Sequence, residues 1–347
     1  MKKKIPSEKS KQAKKTPKEP INWKEKWETT KVVADQTATA SVSILNGAFG
    51  NHLDSFDLAS PMQFYLGKKR VSLRKEDLKS YPHISSKVCI LVHGLGSDET
   101  MWKFSGEQED YGTLLQKEKG MTPFYLRYNT GLHISDNGQA LSSLLEELIQ
   151  NSPVSVKEIV FISHSMGGLV TRSACYYGEK ERYKWVSKTK KIFFIGSPHH
   201  GAGLEKLSNV VTTVLGKIPN PFTHLTKKAI NLRSAGIKDL RYGYLVEEDW
   251  KGKDPDAFLE NSKRHVPLMK SVDYYVITGT LTKNPNHPLA DFFGDAIVGK
   301  WSSLGKSGNG KYDLDFPKEN LKELSGINHL RLMYDRRVYD EIRKWCK

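Results

Sequence analysis

The sequence predicts an α/β fold, a mostly parallel central sheet with helices on both faces. Three observations carry this. Short apolar runs alternate with helical patterns from Val88 onward, which is the arrangement of successive βαβ units. The clearest run, Val88-Cys89-Ile90-Leu91-Val92, is continuously apolar, as a strand buried on both faces must be. The chain has 347 residues, of which 38% are hydrophobic, enough for a large core.

The elements follow in order. Val88–Val92 is the first clear strand, and Pro123–Tyr128 the second. A helix then opens at Ser135 as its cap, with Leu141, Leu144, Leu145, Leu148 and Ile149 at i, i+3, i+4, i+7 and i+8, one apolar face of a helix. Ile159–Ile162 is the third strand, followed at once by a helix from Met166 to about Tyr177. Lys191–Ile195 and Asp273–Thr280 are the fourth and fifth strands, and Val338–Trp345 forms a closing helix. Residues 24–50 read as partly helical. About 70 residues separate Gly201 from Asp273, too many for a simple connection. Residues 201–272 are therefore expected to form a helical cap inserted in a single domain spanning 21–347. Leu207, Val210, Val211, Val214, Leu215 and Ile218 form an apolar stripe in that insertion. It either packs the cap on the body or lines an apolar pocket.

The net charge is +15, of which residues 1–20 carry +6 through eight lysines and two glutamates. That tail has almost no apolar residues and is expected to be disordered. Three roles stay open for it: a solubilising arm, attraction to anionic lipid, or nucleic-acid contact. The last is disfavoured because no aromatic interleaves the lysines. The tail lacks the apolar stretch of a secretory signal. No run of about 20 apolar residues predicts a transmembrane helix. The expected location is cytoplasmic, with peripheral contact at the inner membrane surface as the variant reading. Cys89, Cys175 and Cys346 are too few and too scattered for a disulfide framework or a zinc site, and Cys89 and Cys175 are expected to be buried and inert. No cofactor or metal is called for.

The chemistry concentrates in four segments. Ser163-His164-Ser165-Met166-Gly167-Gly168 lies between a strand and a helix. A nucleophile presented on so tight a turn needs small neighbours two positions away, here Ser163 and Gly167. The Ser165 hydroxyl would project from the carboxyl edge of the sheet, and the Met166 N–H at the helix start would stabilise developing negative charge. Val92-His93-Gly94-Leu95-Gly96 follows an earlier strand and offers the Leu95 N–H as a second donor. His93 reads as structural, because the base in this chain order follows the nucleophile. Gly294-Asp295 supplies a carboxylate, with Asp291 as the alternative. His329, in Gly326-Ile327-Asn328-His329-Leu330, is the last histidine and the only one after Asp295. His199 and His200 read as loop anchors. Arg127 to His133 are candidates for substrate contact.

These segments, with Arg127-Tyr128-Asn129-Thr130-Gly131 and Gly196-Ser197-Pro198-His199-His200-Gly201, resemble the α/β-hydrolase fold of lipases and esterases. More closely they resemble the bacterial GPI inositol-deacylase-like branch, as does Asn46 to Leu53. The resemblance spans residues 92 to 330. It implies hydrolysis of acyl or lipid esters through an acyl-enzyme, with Ser165, Asp295 and His329 as triad and Leu95 and Met166 as oxyanion donors. A thioesterase or amidase with the same triad, and a catalytically silent binding module, are the alternatives. Arg331 stands where many secreted lipases carry a calcium-binding Asp, so no calcium site is expected there.

Overall fold

The computed structural model describes residues 61–81, 84–104, 106–202, 234–253, 263–281, 298–308 and 310–346. The basic tail, the 24–50 region, the 207–218 stripe, Asp291 and Asp295 lie outside the described residues.

Eight strands form one sheet: β1 (Gln63–Leu66), β2 (Lys69–Arg70), β3 (Lys87–Val92), β4 (Thr122–Arg127), β5 (Glu158–His164), β6 (Thr189–Ile195), β7 (Asp273–Thr280) and β8 (Leu321–Ser325). Their spatial order is β2-β1-β4-β3-β5-β6-β7-β8. β1 runs antiparallel to β2 and β4, and the pairs from β4 to β8 are parallel. All five strands expected from the sequence are present, β7 with the expected bounds. The three additional ones, β1, β2 and β8, lie at or near the sheet edges.

The continuous apolar runs have the predicted consequence. Successive side chains of a strand point to opposite faces, so each run feeds two cores. Val88, Ile90 and Val92 join Phe124, Phe161 and Phe194 in one cluster. Cys89 and Leu91 join Tyr125, Ile162 and Phe193 in the other. The first face is covered by α3 (Ile134–Asn151) and α4 (Met166–Lys180), which contribute Leu141, Leu145, Leu169 and Val170. The second is covered by α2 (Tyr111–Lys119) and α8 (Arg336–Trp345), which contribute Leu114, Leu115, Val338 and Ile342. Short helices α1 (Lys75–Ser80), α5 (Lys184–Lys188), α6 (Ala235–Tyr242) and α7 (Lys300–Ser303) complete the described set.

One boundary differs from expectation. The cap position of α3 is His133, which makes no side-chain capping bond. Ser135 lies inside the first turn, where its hydroxyl accepts a hydrogen bond from Trp250 Nε1 at 3.0 Å. Its side chain makes a long-range contact and does not occupy the cap position of its helix.

The strand order positions the site. β4 lies on one side of β3 and β5 on the other. The loops leaving β3 and β5 therefore diverge, and a crevice opens outside their carboxyl ends. β5 passes directly into α4 through Ser165, a strand-to-helix turn at the head of a mostly parallel sheet. The fold is the α/β-hydrolase fold.

The crossing of α3 over α4 depends on Gly138. A Cβ there would strike the Ser173 side chain and lie 3.0 Å from the Ala174 nitrogen. Helix propensity alone would make Gly138→Ala stabilising by about 1 kcal/mol. Overpacking costs about 1–3 kcal/mol and should win, so urea denaturation is expected to show a lower midpoint for this variant.

Candidate active site

Ser165 sits at the tip of the β5–α4 turn with φ 53° and ψ −123°. Left-handed φ is rare for a residue with a Cβ, and among the described residues only Arg182 shares it. The conformation is imposed from both sides. The Ser165 N–H donates to the Ile195 carbonyl at 2.9 Å, and its own carbonyl accepts from the Gly168 N–H at 3.0 Å. Ser163, two residues before, is buried and hydrogen-bonded through Oγ to Thr171 Oγ1 at 2.8 Å. Gly167, two residues after, has no room for a side chain, since a Cβ would strike the carbonyl groups of Val92 and His93. Gly167 is thus required by contact, and Ser163 is fixed by its hydrogen bond.

Ser165 lines a cavity with His329, His164, Leu95, Gly94, Ser97, Pro198, Ala202, Leu240, Val298 and Leu330. The structure therefore brings together three residues singled out from sequence, Ser165, His329 and Leu95. His329 is 3% exposed and lies on the loop after β8. That loop is tied to the sheet by the Ile327 N–H, which donates to the Thr280 carbonyl at 3.1 Å. Across the imidazole of His329 is the backbone of Gly196, where a Cβ would come within 3.1 Å of the ring.

The two candidate oxyanion donors, Leu95 and Met166, both lie beside Ser165. Met166 is the first residue of α4, so its N–H has no acceptor within the helix. Next to Leu95, the Gly96 N–H donates to Thr130 Oγ1 at 3.1 Å and the Ser97 N–H to the Gly94 carbonyl at 3.3 Å. The Leu95 N–H between these positions makes no hydrogen bond among the described residues. A Cβ on Gly94 would sit 3.1 Å from both Ser165 Cβ and His164 Nδ1, so glycine is what lets the β3 loop approach the elbow.

His164 was not singled out from sequence. Its Nε2 lies 3.1 Å from the His329 carbonyl oxygen, which makes Nε2–H the donor. The ring centroids of His164 and His329 are 4.8 Å apart. His164 thus fastens the β8 loop to the residue beside Ser165. A histidine directly before the elbow serine was the available signal.

His93 sits in the core, away from the Ser165 cavity. It is buried, stacks on Tyr128 at 4.4 Å and is absent from the cavity wall. Arg127 to His133 do not line this cavity either. Arg127 Nε donates to Glu99 Oε2 at 2.6 Å. His133 pairs with Asp239 at 3.0 Å and stacks on Trp250 at 3.6 Å. These residues brace the loops around the crevice. All three cysteines are buried free thiols, and burial pushes each thiol up, Cys346 to about 11.

Residues 83–229 match the family described as "Putative serine esterase (DUF676)". That span, under half of the chain, holds the β3 loop, the elbow and the Gly196–Gly201 segment. Among solved structures, the chain is similar to a mature lipase from Bacillus licheniformis at 15% identity and a TM-score of 0.48, covering 77% of this chain and 95% of that one. It is similar to a lipase-esterase related protein from Clostridium acetobutylicum at 15% identity and a TM-score of 0.37, with 75% and 94% covered. An esterase from Pyrococcus furiosus is similar at 17% identity and a TM-score of 0.42, with 76% and 84% covered. No curated protein matches the sequence.

Burial lowers the basicity of His93, His164 and His199, the last two well below the usual imidazole range. In the unfolded chain each would titrate near about 6.5. Below that pH the unfolded state binds more protons than the native state, so stability falls as pH drops. Urea midpoints are expected to be flat above pH 7.5 and to decline steadily from about pH 6.5 towards pH 5.

Proposed function

We propose that this chain is a serine hydrolase that cleaves carboxylic esters of acyl or lipid type through an acyl-enzyme. The observation that carries the reading is the left-handed Ser165 at the strand-to-helix turn, lining one cavity with His329. As the Ser165 oxygen bonds to the ester carbonyl carbon, His329 takes its proton. The Leu95 and Met166 N–H groups stabilise the oxyanion, each contributing about 3–4 kcal/mol by analogy with other hydrolases. His329 passes the proton to the leaving alcohol as its C–O bond breaks. Water then releases the acyl group by the same steps in reverse roles. Asp295 is the proposed carboxylate that orients the imidazole. The fixed left-handed backbone has a use here, because it holds the hydroxyl at the cavity before substrate arrives.

The wall chemistry favours an acyl ester. Leu95, Pro198, Ala202, Leu240, Val298 and Leu330 give the cavity an apolar lining, which suits a hydrocarbon chain. Ala202 and Leu240 come from residues 201–272, which supports reading that stretch as a cap over the site. The narrower reading, kinship with GPI inositol-deacylase-like proteins, rests on the sequence segments from Val92–Gly96 to Asn328–Leu330 together with Asn46–Leu53.

The wild-type protein should hydrolyse p-nitrophenyl esters and take up a fluorophosphonate label. Ser165→Ala should lose the label, and its kcat/KM should fall about ten-thousand-fold or more, as should that of His329→Ala. Labelling of Ser165→Ala to the wild-type extent would refute the assignment.

A further inference from the structure

A second cavity opens beyond the loop that follows β6. Its lining includes Arg172, His199, His200, Lys263, Arg264 and Tyr312, and no carboxylate lines it among the described residues. Arg172 projects from α4, only 6% exposed. Its Nη2 donates to the Val266 carbonyl at 2.6 Å. Its Nε is buried and has no hydrogen-bond partner among the described residues, and no carboxylate pairs with the guanidinium there. His199 is fully buried, and neither of its ring nitrogens finds a hydrogen-bond partner among the described residues. Lys263 Nζ lies 3.0 Å from His200 Nδ1 and 5.4 Å from the centre of the Tyr312 ring.

The nearby carboxylates among the described residues are engaged elsewhere. Asp249 accepts from the backbone N–H groups of Leu245, Val246 and Arg264. Glu248 pairs with the Arg264 guanidinium at 3.2 Å, and Asp313 is held by Ser307 and Lys306. A buried guanidinium left without a counter-charge is strongly unfavourable. Burial pulls Arg172 down to about 10 and Lys263 to about 8, yet both keep their protons at pH 7.

We propose that this cavity binds a phosphate group, with Arg172, Lys263 and His199 as its donors. Convergent donors from three separate segments suit a tetrahedral dianion, whose oxygens accept from several directions. Arg172 and Lys263 supply charge-assisted bonds, and the neutral His199 supplies one N–H. The site is distinct from the cavity of Ser165 and does not rest on the esterase reading. The phosphate is either free or part of a phosphomonoester headgroup.

The test is calorimetric titration of the full-length protein with inorganic phosphate, backed by thermal unfolding. Saturable 1:1 binding is expected, with a rise in Tm that sodium chloride at equal ionic strength does not give. Lys263→Met should weaken binding about tenfold or more. Arg172→Met should abolish binding while remaining at least as stable as the phosphate-free wild type. If Arg172→Met does not fold, the Lys263→Met result decides. Glycerol 3-phosphate separates the two sources. Tighter binding than inorganic phosphate assigns a headgroup, and equal or weaker binding assigns free phosphate. Absence of saturable binding at millimolar concentrations of both ligands, or wild-type affinity in Lys263→Met, overturns the proposal.

Discussion

The turn at Ser165 is the constraint on which the rest of this site depends. A residue with a Cβ held at positive φ costs on the order of 1–2 kcal/mol, and it persists only where its surroundings leave no alternative. Here β5 is locked between β3 and β6, so the strand cannot retreat. α4 begins at the next residue and is pinned from the other side by Gly167 against the β3 loop. The chain must reverse within one residue, and Ser165 takes the strain. This also explains why the β3 loop is glycine-rich. Gly94 and Gly167 are the two places where a side chain would push the loop and the helix apart.

The loops at the carboxyl edge are joined through backbone groups more than through side-chain pairs. Tyr128, after β4, donates its hydroxyl to the His93 carbonyl at 2.7 Å. Thr130 accepts from Gly96. His164 reaches the His329 carbonyl. Each bond ties one strand's loop to its neighbour's, so loops from β3, β4, β5 and β8 are positioned as a set. Buried neutral imidazoles suit this work, because each ring offers one donor without bringing a charge into the core. The same burial makes them sensitive to acid.

Much of this was legible in the sequence because the central strands bury both faces and read as unbroken apolar runs. The segment from Ile159 through Gly168 specified strand, turn and helix with the Ser165 hydroxyl between them. The edges were not legible. β2 has only two residues and β1 four, too few for a period to show, and β8 reads Leu-Lys-Glu-Leu-Ser with its side chains mostly half-buried. Chain order singles out His329 as the candidate base, whereas His164 was passed over because it holds a carbonyl, which no spacing rule announces. Arg172 was missed for a similar reason. An arginine inside a helix ordinarily reads as a solvated charge, and only the packing of α4 against the Val266 segment buries it.

The loop after β6 connects the two cavities through its alternation. Pro198 and Ala202 face the cavity of Ser165, while His199 and His200 face the cationic one. The loop is clamped by one residue of α7. The Ser302 carbonyl accepts from the His199 N–H at 3.2 Å. Its hydroxyl accepts from the His200 N–H at 3.1 Å and donates to the Gly201 carbonyl at 2.9 Å. α4 forms the opposite tie, carrying Ser165 at its head and Arg172 two turns along. A charge placed beside Arg172 therefore acts on two rigid elements that also border Ser165. Any influence it has on the site must come through the ordering of that shared wall and not through a group that reaches the reacting atoms.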